Sequence, residues 1–389
     1  MDDISKIIFK LGEDEAFTSK PVVPPIYQTS NFYFDRVSVL RDAFKNEAKT
    51  PLYTRGDNPT VAIIRKKVAA MSDADDAMIV SSGASAISLA ILANVSAGDH
   101  ILCMEHPYSW TEKFCRVILK RFNVDSTFAS AFSTNDFLKN VTDKTKVIFL
   151  ESPNTFTFDI IDIRQVVAFA KERNIITIID NTFATPVGQK CISMGIDIEI
   201  HSISKYLNGH SDVVAGAIIS NHSMIDKIYH SEFLNIGTIV SPHDAWLILR
   251  GLRTFSIRIK AIGETTEKVL VFLRGQKFVS KILHPFEDNF PLNNLAKSQM
   301  QWNGGLFSLL INSDSVETVE QFCEQLKHFK MAVSWGGHES LIIPACSFYD
   351  KSFEGKRKYP FNLIRFYVGL ESADLLIADI SKASKVFNK

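Results

Sequence analysis

Cysteine is scarce in this sequence, and its spacing is not that of a structural site. The 389 residues include five cysteines without a CxxC pair, at Cys103, Cys115, Cys191, Cys323 and Cys346. An odd number in a long chain disfavours a disulfide framework and a zinc site, and it favours reduced thiols. We therefore expect a cytoplasmic protein that binds no metal.

Neither sign of charge is in excess, which argues against several classes of partner. Lys and Arg number 43, Asp and Glu also number 43, and no basic block stands out. Such a chain has no net field to attract nucleic acid or an anionic membrane. The N-terminus, MDDISKIIFKLGEDEAF, lacks the apolar core of a signal peptide, and residues 77–101 are too polar for a membrane span. We expect neither nucleic acid nor membrane as a partner.

The chain does have length and an alternating pattern of helices and strands. Its size favours two domains, and its 46% hydrophobic content is that of a globular protein. The pattern predicts a helix at 60–71 and strands at 77–80, 101–104, 126–128, 147–150, 175–179, 196–200 and 213–219. It then predicts strands at 306–311, 340–343 and 363–368, with helices at 316–329 and 373–387. We infer an α/β fold with a mostly parallel sheet, divided into an arm at 1–58, an α/β domain at 59–240 and a smaller α/β domain at 241–389.

Two apolar runs near the middle of the chain each lead to a reactive side chain. Residues 175–179 end on Asp180, and residues 196–200 are followed by HSISK, which carries Lys205. Ligands of open α/β sheets bind at the carboxyl ends of strands, where both groups fall. Taken singly, such an Asp is more often a cap and such a Lys more often a solvated charge. Together they are typical of a pyridoxal-phosphate (PLP) site, in which the lysine forms a Schiff base and the acid pairs with the pyridinium nitrogen.

Three stretches offer groups that suit a phosphate. Ser202 and Ser204 flank the lysine with hydroxyls. SSGAS opens a helix whose backbone amides can bind an anion, and Gly83 permits close approach. In YTRGDNPT, Tyr53 and Arg55 supply a hydroxyl and a forked cation. Helix capping and helix entry explain the last two stretches equally well, so both interpretations stay open.

Other candidates follow or occupy further strands. Tyr108 comes after the strand that ends near Met104, where its ring could stack on a flat cofactor, although packing is the commoner role. Glu151 ends another strand and is typical of a loop closed by polar groups. Arg365 lies inside an apolar strand pattern, and a buried arginine requires a partner. That partner is either a substrate carboxylate or an internal Asp or Glu.

The sequences of these motifs and their order along nearly the whole chain resemble those of one protein family. YTRGDNPT, SSGAS, GDHIL, IIDNTFATP, SISKYLNGHSDVVAG, SWGGHES and LIRFYVGLE are similar to segments of the Cys/Met-metabolism PLP enzymes. Within that family the chain is most similar to the bacterial cystathionine β-lyases. The resemblance implies fold type I, with a large mostly parallel sheet domain, a smaller C-terminal α/β domain and PLP as the cofactor.

The resemblance also implies a role for each matching position. Lys205 would be the Schiff-base lysine, Asp180 the partner of the ring nitrogen, and Tyr108 the residue stacked on the ring. Ser334 and Arg365 would hold the substrate carboxylate beside Trp335. The phosphate would be held by Gly83, Ala84, Ser202 and Ser204, joined by Tyr53 and Arg55 of a neighbouring subunit. A shared site implies at least a homodimer, and the family is usually a tetramer.

Four positions depart from the family pattern. Thr155 stands where many members have an asparagine near the cofactor, and Val333 stands where members acting at Cγ have a glutamate. Both of these departures resemble the β-lyases. Gly56 replaces a second arginine, and Lys113 replaces an acid that could face the distal ammonium of cystathionine. The last two leave the recognition of the distal half of the substrate open.

These features predict a PLP-dependent β-elimination from a sulfur amino acid, with cystathionine giving homocysteine, pyruvate and ammonia. Lys205 would remove the Cα proton, and Lys205 or Tyr108 would protonate the leaving thiolate. A γ-acting member, either cystathionine γ-synthase or γ-lyase, is the first alternative, and a cysteine or cystine C–S lyase is the second. A non-catalytic relict fold is the rival from another class, and it predicts a colourless protein.

Overall fold

The structure is a computed structural model that describes residues 2–13, 21–302, 304–350 and 357–388. Residues 14–20 of the predicted arm lie outside the described residues. The strands are β1 Asp76–Val80, β2 His100–Met104, β3 Asp125–Ala129, β4 Thr145–Leu150, β5 Ile176–Asp180, β6 Ile198–Ser202, β7 Gly216–Ser220, β8 Val279–Leu283, β9 Leu306–Ile311, β10 Lys330–Met331, β11 Leu341–Pro344 and β12 Leu363–Tyr367. The α-helices are α1 Asp2–Phe9, α2 Val37–Lys45, α3 Pro59–Met71, α4 Gly83–Leu92, α5 Ser109–Lys113, α6 Thr134–Leu138, α7 Ile163–Lys171, α8 Thr185–Gly188, α9 His222–Ile228, α10 Leu234–Ile236, α11 Pro242–Arg253, α12 Phe255–Arg274, α13 Asn293–Gln299, α14 Val316–Gln325 and α15 Ala373–Ala383.

The larger sheet is mostly parallel, which confirms the prediction from the alternating pattern. Within the described ranges its order is β1-β7-β6-β5-β4-β2-β3. Strands β3, β2, β4, β5 and β6 are parallel, whereas β7 is antiparallel to both of its neighbours. Strands covered on both faces need apolar residues at nearly every position, and residues 101–104 of β2 and 147–150 of β4 have them.

The three strands that lead to the candidate site begin later in the chain than the sequence predicts. The start moves from residue 175 to 176 for β5, from 196 to 198 for β6 and from 213 to 216 for β7. Before β7, the backbone N–H of Ala215 donates to Oγ of Ser204 at 2.9 Å, so this residue braces the turn after β6. A Cβ on Gly216 would lie 2.2 Å from the carbonyl oxygen of Ser82, so β7 can approach this turn only with glycine there.

A smaller sheet follows in the C-terminal part of the chain. Its order in the described ranges is β10-β11-β12-β9-β8, and it is antiparallel except between β10 and β11. Helix α12 links the two sheets, because Phe255 and Ile262 pack in a core of the larger sheet and Val269 and Leu273 in the core of the smaller one. The sequence pattern allowed one long helix here or two, and the structure has α11 and α12. The division at residue 240 stays a prediction.

A buried lysine of α3 holds the N-terminal helix α1 in place. Nζ of Lys67 donates to the carbonyls of Ile7 at 2.9 Å and Ile8 at 2.6 Å, and it pairs with Oε1 of Glu13 at 3.0 Å. Across the part of the chain that the structure describes, no helix combines the length and the apolar character needed to cross a bilayer.

Candidate active site

The acid and the amine singled out in the sequence lie at the carboxyl ends of two neighbouring strands. Asp180 is the last residue of β5, and it is paired in register with Ile200 of the parallel strand β6. Lys205 comes one turn after β6, and its backbone N–H donates to the carbonyl of Ser202 at 3.1 Å. Because parallel strands end at the same edge of a sheet, both side chains belong to one cleft.

Lys205 is connected to Arg365 through one serine. Nζ of Lys205 donates to Oγ of Ser334 at 2.5 Å, and Nη2 of Arg365 donates to the carbonyl oxygen of Ser334 at 3.0 Å. Ser334 has φ of +79°, a left-handed conformation that is uncommon outside glycine and is found at functional sites. Burial, and then the neighbouring charge of Arg365, lower the pKa of Lys205 to about 8.

Arg365 is buried and lies against the aromatic ring of Phe156. Its exposed fraction is 7%, and no ion pair involves it within the described ranges. Its guanidinium lies 4.7 Å from the ring centroid of Phe156, which in turn stacks on Tyr359 at 4.7 Å. Burial lowers the pKa of Arg365 to about 10. The sequence left two partners open for Arg365, a substrate carboxylate or an internal Asp or Glu. These contacts favour the carboxylate of a ligand.

Trp335 forms an aromatic wall beside the lysine. Its ring centroid lies 5.7 Å from Nζ of Lys205 and 5.3 Å from the ring of Tyr206, and only 6% of the residue is exposed. Val333, two residues earlier, is 75% exposed. The SWGG stretch therefore places Ser334 and Trp335 together against the lysine.

Asp180 is held by the residue that follows β5. Its Oδ1 accepts hydrogen bonds from the backbone N–H of Thr182 at 3.0 Å and from Oγ1 of Thr182 at 2.5 Å. Burial raises the pKa of Asp180 above its ordinary value, while these bonds oppose the rise. Behind it, Nε2 of His201 lies 2.6 Å from Oε1 of Glu199, and both side chains are almost fully buried. In the sequence, Glu199 stands inside the apolar run 196–200, and nothing in that run indicates its pairing with His201.

The small-residue turn before α4 forms a cradle against Ser202. A Cβ placed on Gly83 would lie 2.8 Å from Cβ of Ser202, so only glycine permits this approach. Ser82 caps α4, since its Oγ accepts from the backbone N–H of Ser85 at 3.0 Å. The cap and the anion site predicted for this turn are therefore compatible. Ala84 lies in the first turn of α4, while Oγ of Ser204 donates to the carbonyl of Ala215 at 3.2 Å.

Tyr108 rests on a buried carboxyl group. Its backbone N–H donates to Oε2 of Glu151 at 2.6 Å, and its side chain is exposed at the start of α5. Burial and the nearby Asp180 raise the pKa of Glu151 to about 8, while backbone hydrogen bonds from Tyr108 and Thr155 oppose the shift. Burial, Asp180 and Glu151 in turn raise the pKa of Tyr108. From its place at the end of a strand, Glu151 was predicted only to close a loop, and its contact with Tyr108 was not predicted.

Tyr53 and Arg55 lie away from this group of side chains. Arg55 is exposed, its guanidinium lies 5.5 Å from the ring centroid of Tyr53, and it borders Gly237. Within the described ranges, neither side chain makes a hydrogen bond or an ion pair with Lys205 or Asp180. Their predicted role in a neighbouring subunit stays a prediction.

Comparisons with known proteins agree on one family. The model of the Cys/Met metabolism PLP-dependent enzymes matches residues 6–385. The chain is 34% identical over 365 residues to the L-methionine gamma-lyase of Fusobacterium nucleatum subsp. polymorphum, with 92% of each chain covered. It is 33% identical over 370 residues to the cystathionine beta-lyase of Lactococcus lactis subsp. cremoris, with 94% of each covered. The crystal structure of metB from Corynebacterium glutamicum matches with a TM-score of 0.91 at 29% identity, over 99% of this chain and 98% of that one.

Fold and family together define a PLP-dependent enzyme of fold type I. The described residues fit that cofactor, because Gly83 leaves a cradle that a Cβ would fill and Asp180 offers a buried acid. The chain belongs to the Cys/Met-metabolism family of PLP-dependent enzymes. This confirms the resemblance, the fold class and the cofactor that the sequence predicted. The relatives carry both β-lyase and γ-lyase names, so the position of bond cleavage is not fixed by family membership.

Proposed function

We propose that this protein cleaves the Cβ–S bond of a sulfur amino acid, converting cystathionine and water into homocysteine, pyruvate and ammonia. The observation that carries the proposal is the connected set Lys205, Ser334 and Arg365. A substrate carboxylate at Arg365 would replace the Ser334 carbonyl as the acceptor of the guanidinium. Cα is bonded directly to that carboxylate, so its proton would face the amine of Lys205.

Lys205 is suited to the role of base. With a pKa of about 8, a sizeable fraction of its amine is neutral near pH 7.5, as proton removal requires. Bound PLP would supply an electron-withdrawing ring that makes the Cα proton acidic. Asp180 would hold the proton of the ring nitrogen, and that cation would in turn favour the ionised carboxylate.

Tyr108 is suited to the role of proton donor to the leaving thiolate. Its raised pKa keeps the phenol protonated at neutral pH, and Asp180 is near enough for its charge to contribute to that rise. Lys205, once protonated, is the second group able to supply this proton. We assign the phosphate to Gly83, Ala84, Ser202 and Ser204, with Thr155 near the ring.

We further propose that Tyr53 and Arg55 complete the phosphate site of a second copy of the chain. Tyr53 is 48% exposed, and the surrounding segment also exposes Tyr33 at 90% and Val22 at 94%. Exposed apolar side chains in one segment favour burial against a partner surface. A homodimer with shared sites, and a tetramer built from two such dimers, would provide that burial.

Cleavage at Cγ is the second candidate. It is supported by the 34% identity to the L-methionine gamma-lyase of Fusobacterium nucleatum subsp. polymorphum. The β-lyase proposal is supported by Val333 and Trp335, which follow the β-lyase pattern. Product analysis separates the two candidates, because cystathionine yields pyruvate by β-cleavage and 2-oxobutyrate by γ-cleavage. Cystine and cysteine belong in the same substrate panel.

Borohydride trapping tests the assignment of the lysine. The purified protein should be yellow, and reduction should abolish the visible band and leave the cofactor attached at residue 205, as read by peptide mass spectrometry. Lys205→Ala should lose the trapped adduct and lower turnover by about a thousandfold or more. Lys139→Ala, which removes an exposed lysine paired with Asp136, is the control and should behave as the parent protein. Full turnover by Lys205→Ala would refute the assigned base.

A further inference from the structure

An ion pair joins the helix after Tyr108 to the C-terminal part of the chain. Nζ of Lys358 lies 2.5 Å from Oε2 of Glu112, and Glu112 is in α5. The backbone N–H of Glu112 donates to the carbonyl of Tyr108 at 3.1 Å, so the carboxylate lies one helical turn from the ring. Both side chains are partly exposed, with 33% for Lys358 and 27% for Glu112. A pair at this exposure can still meet a solute.

The pair lies at the rim of the cleft described above. Lys358 precedes Tyr359 in the chain, Tyr359 stacks on Phe156, and the guanidinium of Arg365 lies 4.7 Å from the ring centroid of Phe156. The positive charge of Lys358 also lowers the pKa of the buried Glu151, on which Tyr108 rests. The rim pair is therefore connected to Arg365 through Tyr359 and Phe156, and to Tyr108 through the first turn of α5.

The local charge favours one further anion. Oε1 of Glu112 accepts from Nε of Arg116 at 3.0 Å, so a single carboxylate faces two cations. This set carries one net positive charge, and Lys358 has three donor hydrogens of which Glu112 uses one. A carboxylate arriving from the cleft would therefore be attracted to Lys358, whereas an ammonium group would be repelled.

We propose that Lys358, positioned by Glu112, binds the distal carboxylate of a substrate that has an amino-acid group at each end, such as cystathionine or cystine. This inference rests on the proposed function and adds the selection of substrate class. Lys113, which replaces an expected acid in the sequence, lies 4.9 Å from the ring centroid of Trp110, and no ion pair involves it within the described ranges. Recognition by a cation then takes the place of recognition by an acid.

Kinetics with two substrates test the inference on the PLP-loaded enzyme. L-Cystathionine has two amino-acid ends, whereas S-methyl-L-cysteine has the same Cβ–S bond and only one. Lys358→Met should lower kcat/KM about tenfold more for cystathionine than for S-methyl-L-cysteine, and mainly through KM. Lys358→Arg should recover most of the loss, and Glu112→Gln should give a smaller loss of the same kind. Lys139→Met is the matched control for removal of one exposed paired lysine.

Inhibition gives a readout that involves no bond cleavage. 2,6-Diaminopimelate has two amino-acid ends and norleucine has one, and neither has a leaving group. Lys358→Met should raise the inhibition constant of diaminopimelate about tenfold and leave that of norleucine unchanged. Equal changes for both members of each pair, or no change for either, would overturn the inference, because a purely structural ion pair acts on all ligands alike.

The two proposals fail in different ways. If the parent protein cleaves none of the sulfur amino acids, the proposed function is wrong, although the two inhibitors can still be compared by their effect on the visible band. If the parent protein cleaves them and Lys358→Met keeps the parent preference, the proposed function holds and the role of Lys358 is wrong.

Discussion

Replacing Arg365 by methionine should make the protein more stable and less active. Methionine has a similar length and no charge. Burial lowers the pKa of Arg365 from its ordinary value to about 10, and this shift corresponds to about 3 kcal/mol by which the folded protein disfavours the charged group. The hydrogen bond to Ser334 and the contact with Phe156 offset about 1–2 kcal/mol of that. Arg365→Met should therefore raise the free energy of unfolding by about 1–2 kcal/mol.

Two measurements on the PLP-loaded enzyme check this expectation. Scanning calorimetry without substrate should show Tm rising by about 2 °C, given the large unfolding entropy of a chain of this size. Steady-state kinetics should show kcat/KM falling about a hundredfold or more, because the substrate carboxylate loses a charged, forked donor. A gain in stability together with a loss of activity would show that the charge of Arg365 serves ligand binding and not folding.

Arg258 provides the matched control. It is also buried, with 4% exposure, and burial also lowers its pKa to about 10. Its donors are already used, by the carbonyls of Tyr206 at 2.8 Å and Gly251 at 3.0 Å and by Oγ1 of Thr254 at 3.0 Å. Arg258→Met would leave buried acceptors unpaired, so Tm should fall. If Arg365→Met also lowered Tm by several degrees and kept the parent kcat/KM, Arg365 would be a structural residue and the reasoning would be refuted.

Two further predictions concern the cradle and the buried acid. Gly83→Ala should weaken PLP binding and lower the free energy of unfolding by about 1–3 kcal/mol, because the added Cβ would clash with Ser202. Titration of the apoprotein with PLP measures the loss of affinity. An unchanged affinity would contradict the prediction. Burial raises the pKa of Glu151 from 4.5 to about 8, so the stability that its protonated form contributes is complete below pH 4.5 and is lost as the pH rises towards 8. Glu151→Gln removes this loss of stability, because glutamine does not ionise. The Tm of the variant minus that of the parent should therefore increase from pH 5 to pH 8. A difference in Tm that does not depend on pH would argue against the raised pKa.

The sequence predicted the larger sheet and the acid and amine at its edge because buried parallel strands leave a direct signal. A run such as VIFL in β4 must be apolar on both faces, and a polar residue that ends it marks the carboxyl edge of the sheet. Asp180 and Lys205 were found in this way. The resemblance to a family then supplied the roles of Ser334 and Arg365, which lie far along the chain from the lysine.

The residues that the sequence did not reveal act across long separations without a periodic pattern. Lys358 and Glu112 are 246 positions apart in the sequence, and nothing in the stretch KRKYPF indicates that Lys358 contacts α5. Glu199 lies in β6 between Ile198 and Ile200, so its pairing with His201 is visible only once both side chains are seen to be buried. A side chain's chemical type is readable from the sequence, but its burial and partner depend on tertiary packing.

Burial disfavours the charged form of each titratable side chain around the cleft. Burial raises the pKa of Asp180 and of Glu151, and it lowers the pKa of Lys205 and of Arg365. If stability alone shaped this site, the two acids and the two cations would pair directly; instead Arg365 donates to the carbonyl of Ser334 and Lys205 to its hydroxyl. Each proposed ligand group would supply an opposite charge to one of these side chains. A cationic ring nitrogen would pair with Asp180, and a carboxylate would pair with Arg365. Binding should therefore stabilise the folded chain through the same side chains that act on the substrate.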